Sequence, residues 1–253
     1  MLLSTYREVL WNLVTKNLKA KYAGSVLGML WAFINPLLLA LIISFVFTNI
    51  FKASSGNFYL FILSGMLPWT FLSGSLQESA MSIPANAALL RQFPLPREII
   101  PLSVVLANFI LLLFGFFAVI PLFLMADPGM IFMLPLLIAA LVLLFVFTLG
   151  LSLLLSAVCV NSRDITHILN TFLMFWLWLT PVFYSIDMVP AGYRVMVDAN
   201  PAHPFIILFR HALLRDTSGS SHELITGLML SLLVLAAGTL VFSRKEKGFL
   251  KRI

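Results

Sequence analysis

The sequence has few charged residues, and this scarcity excludes most classes of protein. Only 10% of its 253 residues are charged, whereas an ordinary soluble domain has about 25%. Apolar residues make up 61% of the chain, and the mean hydropathy is +1.03. So few charges cannot cover a water-exposed surface, which excludes a soluble enzyme, a nucleic-acid-binding domain and a disordered chain. The composition predicts an integral membrane protein.

Motifs for catalysis and for metal binding are missing as well. The sequence contains no G-x-x-x-x-G-K-[ST] phosphate loop, so ATP hydrolysis by that route is excluded. No H-E-x-x-H or paired-cysteine motif indicates zinc, and the four histidines are scattered. The single cysteine, Cys159, lies in an apolar stretch and is expected to be a buried, inert thiol. We therefore expect no catalytic residue, metal site or cofactor on this chain.

Long uncharged segments locate the membrane spans. A helix needs about 20 residues to cross the bilayer core, and six uncharged segments reach that length. We predict a single all-α transmembrane domain over residues 1–253, because the segments lack the alternating pattern of barrel strands. The predicted spans are 27–51, 58–80, 100–125, 132–160, 165–185 and 223–243.

Lysine and arginine are distributed unevenly between the two sides of this topology. With both termini on one side, that side carries twelve basic residues and the other side carries four. The positive-inside rule then predicts that both termini are cytoplasmic. The same distribution accounts for the net charge of +6, so no nucleic-acid partner is expected.

Residues 1–21 are predicted to form an amphipathic helix on the cytoplasmic membrane surface. One face carries Glu8, Asn12, Thr15, Lys16 and Lys19, and the other carries Leu3, Tyr6, Val9, Leu10, Leu13 and Val14. The alternative is a helix packed on another cytoplasmic protein.

The cytoplasmic connection at 83–99 contains a short helix bracketed by prolines. Pro84 can open a helix, whereas Pro94 and Pro96 must end it. About two turns would then hold apolar residues outside the bilayer, which is typical of a docking element. The alternative is a plain connector on the membrane surface. The candidate docking residues are Leu89, Leu90, Arg91, Gln92 and Phe93.

The outer connection at 187–222 contains several prolines and a ten-residue apolar run at 205–214. This run is too short to span a membrane and is interrupted by Arg210 and His211. We predict a re-entrant or interfacial helical pair, which must be shielded by protein or line a water-filled cavity.

The polar residues of the spans indicate a route for a substrate. Glu78 is the only acidic residue in a plausible span, and it lies near the cytoplasmic end of that span, so proton coupling has little support. The protein therefore either conducts its substrate passively or takes energy from a partner. Polar residues and aromatic rings share the fifth span, and flat rings can slide along a polyhydroxylated chain. The alternative is ordinary helix packing. The candidate path residues are Trp31, Asn35, Phe172, Phe175, Trp176, Thr180, Phe183 and Tyr184.

Two long motifs resemble the permeases of the ABC type-2 polysaccharide exporter family. The segment LKAKYAGSVLGMLWAFINPLL at 18–38 is similar to the family's surface helix and first span. The segments LTPVFYSIDMVP at 179–190 and NPAHPFIILFRHALL at 200–214 resemble its fifth span and re-entrant segment. The resemblance covers essentially the whole chain.

The resemblance implies a homodimeric permease in the bacterial cytoplasmic (inner) membrane, surrounded by lipid. Two ATP-binding subunits would carry ATP and Mg²⁺. The substrate would be a lipid-linked polysaccharide, with O-antigen as the first candidate. It further implies that 85–93 docks on the ATPase, and that Pro201, Pro204 and Arg210 form a gate at the outer mouth.

Other functions remain open at this point. Capsule, teichoic acid or a drug or lipid amphiphile are alternative substrates for a permease of this type. A membrane-embedded transferase for lipid-linked sugars would need clustered acidic residues, whereas those of this chain are dispersed. A non-catalytic assembly scaffold is a further alternative.

Overall fold

The fold is described from a computed structural model, which covers residues 6–50, 52, 57–160, 164–215 and 221–251. Throughout these ranges the regular structure is helical, which confirms the predicted all-α class. The helices are α1 (Arg7–Tyr22), α2 (Trp31–Phe45), α3 (Phe58–Ala85), α4 (Ala87–Gln92), α5 (Ile99–Ala126), α6 (Leu134–Cys159), α7 (Asp164–Leu179), α8 (Ala191–Asp198), α9 (His203–Leu214) and α10 (Ser221–Lys245). Short 3-10 segments lie at Gly28–Leu30, Pro128–Met133, Ile186–Met188 and Glu246–Lys251, and a π-helical segment, Val46–Ile50, extends α2.

Five helical segments in the described ranges are long and apolar enough to cross a membrane. They are Gly28–Ile50, Phe58–Ala85, Ile99–Ala126, Pro128–Cys159 and Ser221–Lys245. They correspond to five of the six predicted spans and support an integral membrane protein.

The remaining predicted span, 165–185, is not one continuous helix. Its helix α7 has 16 residues, about 24 Å of length, and ends at Leu179. Pro181 explains the end, because proline lacks the N–H that the helix needs and disfavours helical geometry in the residue before it. The expected continuous helix is therefore corrected to a shorter helix followed by a turn at 180–184.

This turn and α9 fill the interior beside α3. The backbone of Val182 lies so close to Gly65 of α3 that a methyl group on that glycine would be 3.3 Å from the Val182 Cα. Ten of the twelve residues of α9 are buried, mainly against α3 and α6. The predicted helical pair before the last span is thus present as α8 and α9, and protein shields the apolar α9.

The closest helix contact joins α6 and α10. A methyl group on Gly150 of α6 would lie 2.6 Å from the backbone nitrogen of Leu235. On α10, a methyl group on Gly238 would collide with the Gly150 carbonyl. The Ser231 hydroxyl of α10 lies 2.9 Å from the Leu143 carbonyl across the contact and 2.6 Å from the Gly227 carbonyl of its own helix, so its proton is shared between two acceptors. Small residues therefore let the two backbones touch, as is common between membrane helices.

Both ends of the described chain lie at one end of the bundle, which we call the terminal end. There α1 packs along α5 and buries Leu13 and Val14 of the predicted apolar face, whereas Leu3 lies outside the described residues. The 3-10 segment after α10 contacts α4 at the same end. At the opposite, distal end, Arg215 forms an ion pair with Asp127 at 3.2 Å.

Candidate functional site

A cavity of about 230 Å³ lies between α1, α2, α3 and α5, toward the terminal end. Trp31 and Asn35 of α2, both predicted path residues, line it. Its other polar lining comes from Lys21 and Tyr22 of α1, Thr70 of α3 and Asn108 of α5. Helix α1 therefore completes a site that the spans alone would leave open.

An ion pair anchors one side of this cavity. The Lys21 ammonium lies 2.7 Å from the Glu78 carboxylate and also donates to the Asn108 side-chain oxygen. The Asn108 amide in turn donates to Glu78 at 3.1 Å. Each of the three groups thus has partners among the other two, which offsets the cost of placing charges near the membrane. Glu78 is engaged inside the protein, in addition to being partly exposed.

Three predicted path residues are buried inside the chain. Trp176 donates through its indole nitrogen to Asn200 at 2.7 Å, and its ring meets Trp69 edge-on at 5.6 Å. Thr180 donates to the Trp176 carbonyl at 2.7 Å and accepts from the Asn200 amide at 2.9 Å. Phe183 is buried in the main apolar core. These contacts cover the three residues within the chain and agree with the packing alternative, and a role for them in the path stays a prediction.

The other predicted path residues of this region remain accessible. Phe172 and Phe175 are 53% and 65% exposed on the outward face of α7. Tyr184 is partly buried, and its hydroxyl lies 3.2 Å from the carbonyls of Trp178 and Leu179. The accessible members of the predicted path are therefore Phe172, Phe175 and Tyr184, with Trp31 and Asn35 of α2.

The predicted gate residues have different environments. Pro201 is exposed, whereas Pro204 and Arg210 are buried. The Arg210 guanidinium donates to the Val182 carbonyl at 3.0 Å and lies 3.7 Å from the centre of the Phe61 ring. This cation–π contact and hydrogen bond connect α9 to the turn after α7 and to α3. Arg210 thus holds the buried segment in place, and a gating role stays a prediction.

A short helix, α4, ends before Pro94 as the sequence predicts, but Pro84 lies in the last turn of α3, so the expectation that it opens α4 is corrected. Arg91, Gln92 and Phe93 are exposed, and Leu89 is partly exposed. Leu90 differs, because it is only 5% exposed and packs in a second core cluster at the terminal end. The expectation that Leu90 is available to a partner is therefore corrected, since this chain already buries it.

That second cluster connects α4 to the end of the last span. It consists of Ile83, Leu90, Ile100, Leu153, Ala157, Phe242 and Phe249. The Arg97 side chain donates to the Glu246 carbonyl nearby. Burial raises the pKa of the Glu98 carboxyl, and the neighbouring Glu246 raises it further. Helix α4 is thus braced from inside the chain while its outer side stays exposed.

Sequence reasoning did not identify the partners that complete these sites. Lys21 is the last charged residue before the first span, and Glu78 is the only acidic residue in a predicted span. Their opposite charges were the one feature of the sequence that could have indicated the ion pair. Asn108 and Asn200 gave no comparable signal, since single asparagines occur in many helices and loops. Cys159 is buried, as predicted.

The described residues contain no group of three or more His, Cys, Asp or Glu side chains placed to hold a metal ion. The polar groups at the cavity instead suit hydrogen bonding to a ligand. Amides, hydroxyls and aromatic faces provide donors, acceptors and flat apolar surfaces, which recognise a molecule without reacting with it.

Comparisons with known proteins agree with this architecture. The family described as ABC-2 type transporter matches residues 8–214. An "O-antigen export system permease protein RfbA" of Myxococcus xanthus is 30% identical over 98% of this chain and 96% of its own length. A protein of the same name from Klebsiella pneumoniae is 29% identical over 96% of this chain and 93% of its own length.

A capsule polysaccharide export inner-membrane protein, CtrC of Neisseria meningitidis, is 24% identical over 96% of this chain and 92% of its own length. The family match covers most of the chain, including all the cavity residues and α4. Together with the helical membrane fold, these matches show that the chain belongs to the ABC-2 type transporter family.

Proposed function

We propose that this chain is the membrane-spanning permease subunit of an ATP-driven exporter that moves a lipid-linked polysaccharide, with O-antigen as the substrate class. The observation that carries the proposal is the similarity over nearly the full length to permeases named for O-antigen export. Capsule polysaccharide is the second candidate, supported by the more distant capsule-export relative. The accessible aromatic residues and the polar cavity suit either glycan.

A separate ATP-binding subunit supplies the energy and holds ATP and Mg²⁺. This chain has no phosphate loop of its own. Its α4 lies at the terminal end with Arg91, Gln92 and Phe93 exposed, so an ATPase can contact them. Because Leu90 fixes α4 against the end of α10, a movement of the ATPase would be passed to the last span rather than absorbed by a loose loop.

Two copies of the chain form the working permease, with the glycan path between them. The segment that contains α2 supports this arrangement, because only 11% of the most apolar part of Gly28–Ile50 is buried within one chain. Phe172 and Phe175 of α7 are similarly uncovered. In the proposed dimer a partner copy covers part of these faces, the glycan contacts the aromatic rings, and membrane lipids cover the rest.

The permease lies in the bacterial cytoplasmic (inner) membrane with both termini in the cytoplasm. The common position of α1, α4 and the segment after α10 at one end of the bundle supports this orientation. The basic residues of these segments support it further. The cavity and α4 then face the compartment in which ATP is available.

The double substitution Leu89→Asp with Phe93→Asp tests the proposal. Carboxylates on the exposed side of α4 would enter an apolar contact on the ATPase, where a few anchors carry most of the energy. We expect the variant to reach the membrane at the normal level, to lose about tenfold or more of its co-purification with the ATP-binding subunit, and to stop glycan export. Leu90 is left unchanged, because its substitution would disturb the core.

Tyr193→Asp is the matched control. Tyr193 is an exposed aromatic residue on α8, in the outer connection, and is 63% exposed. We expect it to retain both co-purification and export. Normal export by the α4 double variant, at normal protein level, would refute the docking role. Absence of any glycan defect after deletion of the gene would refute polysaccharide export itself.

A further inference from the structure

The cavity beside α1 has the size and chemistry of a site for a single sugar ring. Its volume of about 230 Å³ is below the roughly 300–1,000 Å³ of pockets for drug-sized ligands. All its lining residues belong to one copy of the chain, and two of them, Trp31 and Asn35, are also candidate path residues, so the site adjoins the path.

The charge at the cavity favours a neutral ligand. Lys21 is its only basic lining residue, and the ammonium is already 2.7 Å from the Glu78 carboxylate. A phosphate or other anion would have to compete with that carboxylate. A neutral polyhydroxylated ligand needs hydrogen-bond donors and acceptors rather than a net charge.

The remaining lining supplies such groups together with flat apolar surfaces. The Asn35 amide has both donor and acceptor groups. The Thr70 hydroxyl donates to the Leu67 carbonyl at 2.8 Å, which leaves its own lone pairs available to accept. The rings of Trp31 and Phe71 form apolar walls, against which the C–H face of a sugar ring can lie.

We propose that this cavity binds one neutral sugar unit of the glycan before the chain enters the export path. The inference rests on the proposed function and adds to it a discrete binding site on each copy. The site uses Asn35 and Thr70 to bond hydroxyl groups, Trp31 and Phe71 to contact the ring, and the Lys21–Glu78 pair to fix α1 as one wall.

Gly74 is a position from which a side chain can enter the cavity. It lines the cavity on α3, and a methyl group there would meet only the Asn108 side-chain oxygen, at an ordinary 3.7 Å. Gly74→Leu would place a side chain in the space for the sugar and would also favour the helix. Gly192→Leu is the matched control, because Gly192 lies on α8 with open space around it.

The test compares glycan export in cells that carry each variant, with the amount of ATPase complex recovered as the measure of assembly. We expect Gly74→Leu to assemble normally and to export about fivefold or more slowly, and Gly192→Leu to match the unaltered protein. Asn35→Leu keeps the branched shape of the side chain but removes its hydrogen bonds, and should also slow export. Export at the control rate by either pocket variant would overturn the proposal.

A second measurement reports occupancy and does not depend on transport. Ala32→Cys, at a lining position with no assigned hydrogen bond, is labelled with a membrane-permeant maleimide in cells that make the glycan and in cells whose glycan synthesis is blocked. We expect slower labelling when glycan is present, and no difference at Lys19→Cys, which lies outside the cavity on α1. Equal labelling of Ala32→Cys in both strains would overturn the proposal. If the unaltered protein exported no glycan, the proposed function would fail instead.

Discussion

Two apolar regions of the molecule differ in how they are covered. The contact between α6 and α10 is covered within one chain, whereas the outward faces of α2 and α7 are not. In the first, Gly150 and Gly238 let two backbones touch, and the surface is covered within the chain. In the second, large side chains such as Ile42, Phe45, Phe172 and Phe175 are more than half exposed. Both regions have apolar composition, so composition does not distinguish them.

This difference shows which apolar surfaces a single chain covers by itself. A close backbone contact at glycine stabilises the structure only when the matching helix surface lies against it, because the short distance fits that neighbour alone. Large exposed apolar side chains are satisfied by lipid, by a second copy or by a substrate. Substitutions should therefore be costly at the covered surfaces and tolerated at the open ones, unless those faces contact a partner.

The two faces of α7 provide the largest expected contrast in stability. Trp176 is buried and bonded to Asn200, whereas Phe175 one position earlier is exposed. We expect Trp176→Ala to lower the free energy of unfolding by about 3–5 kcal/mol and Phe175→Ala to change it little. The measurement is thermal unfolding of the purified permease in detergent, followed by size-exclusion chromatography. Equal melting of both variants would break the distinction between the faces.

The glycines of α10 provide a second, smaller contrast. A methyl group on Gly238 collides with the α6 backbone, whereas one on Gly227 would have its nearest neighbours at 3.6 Å. Gly238→Ala should cost about 1–3 kcal/mol through overpacking, and Gly227→Ala should be close to neutral because alanine favours the helix. The same unfolding assay measures both. A neutral Gly238→Ala would mean that α6 and α10 separate easily.

The smallest expected effect concerns a single hydrogen bond across the covered contact. The Ser231 hydroxyl shares its proton between the Leu143 carbonyl of α6 and the Gly227 carbonyl of α10, whereas Ser243 donates only within α10. Ser231→Ala should lower the free energy of unfolding by about 0.6 kcal/mol, and Ser243→Ala should leave it unchanged. Replicate melting curves with a shift at Ser243 as large as that at Ser231 would contradict this assignment.

Sequence reasoning predicted the elements with strong local signals. Long uncharged segments gave five helices of sufficient length, and Pro94 marked the end of α4 within two residues, whereas Pro84 belongs to α3. Pro181 was also visible, but its effect on the fifth predicted span was underestimated, and α7 ends before it. A run of apolar residues indicates hydrophobicity but does not show that the helix is continuous. The length of the run therefore predicted a longer helix than α7.

The site was predicted less completely, because burial depends on neighbours distant in sequence. Leu90 and Phe93 are both apolar residues of one short segment, yet only Leu90 meets Phe242 and Phe249 from the end of the chain. Trp176 and Phe175 differ for the same reason, since Asn200 and Trp69 lie on one side of α7. Roles in the path, the gate and ATPase docking stay predictions for the accessible residues.

Hydropathy and proline positions in the sequence were sufficient to predict a helical membrane protein with a short helix that ends before Pro94 and an apolar segment shielded by protein before the last helix. These properties depend on hydropathy and on backbone chemistry, which act locally. Only the tertiary structure decided that Lys21 pairs with Glu78, that Gly150 meets Gly238, and that one face of α7 is covered. Those outcomes depend on distances between residues far apart in the chain, which no local pattern specifies.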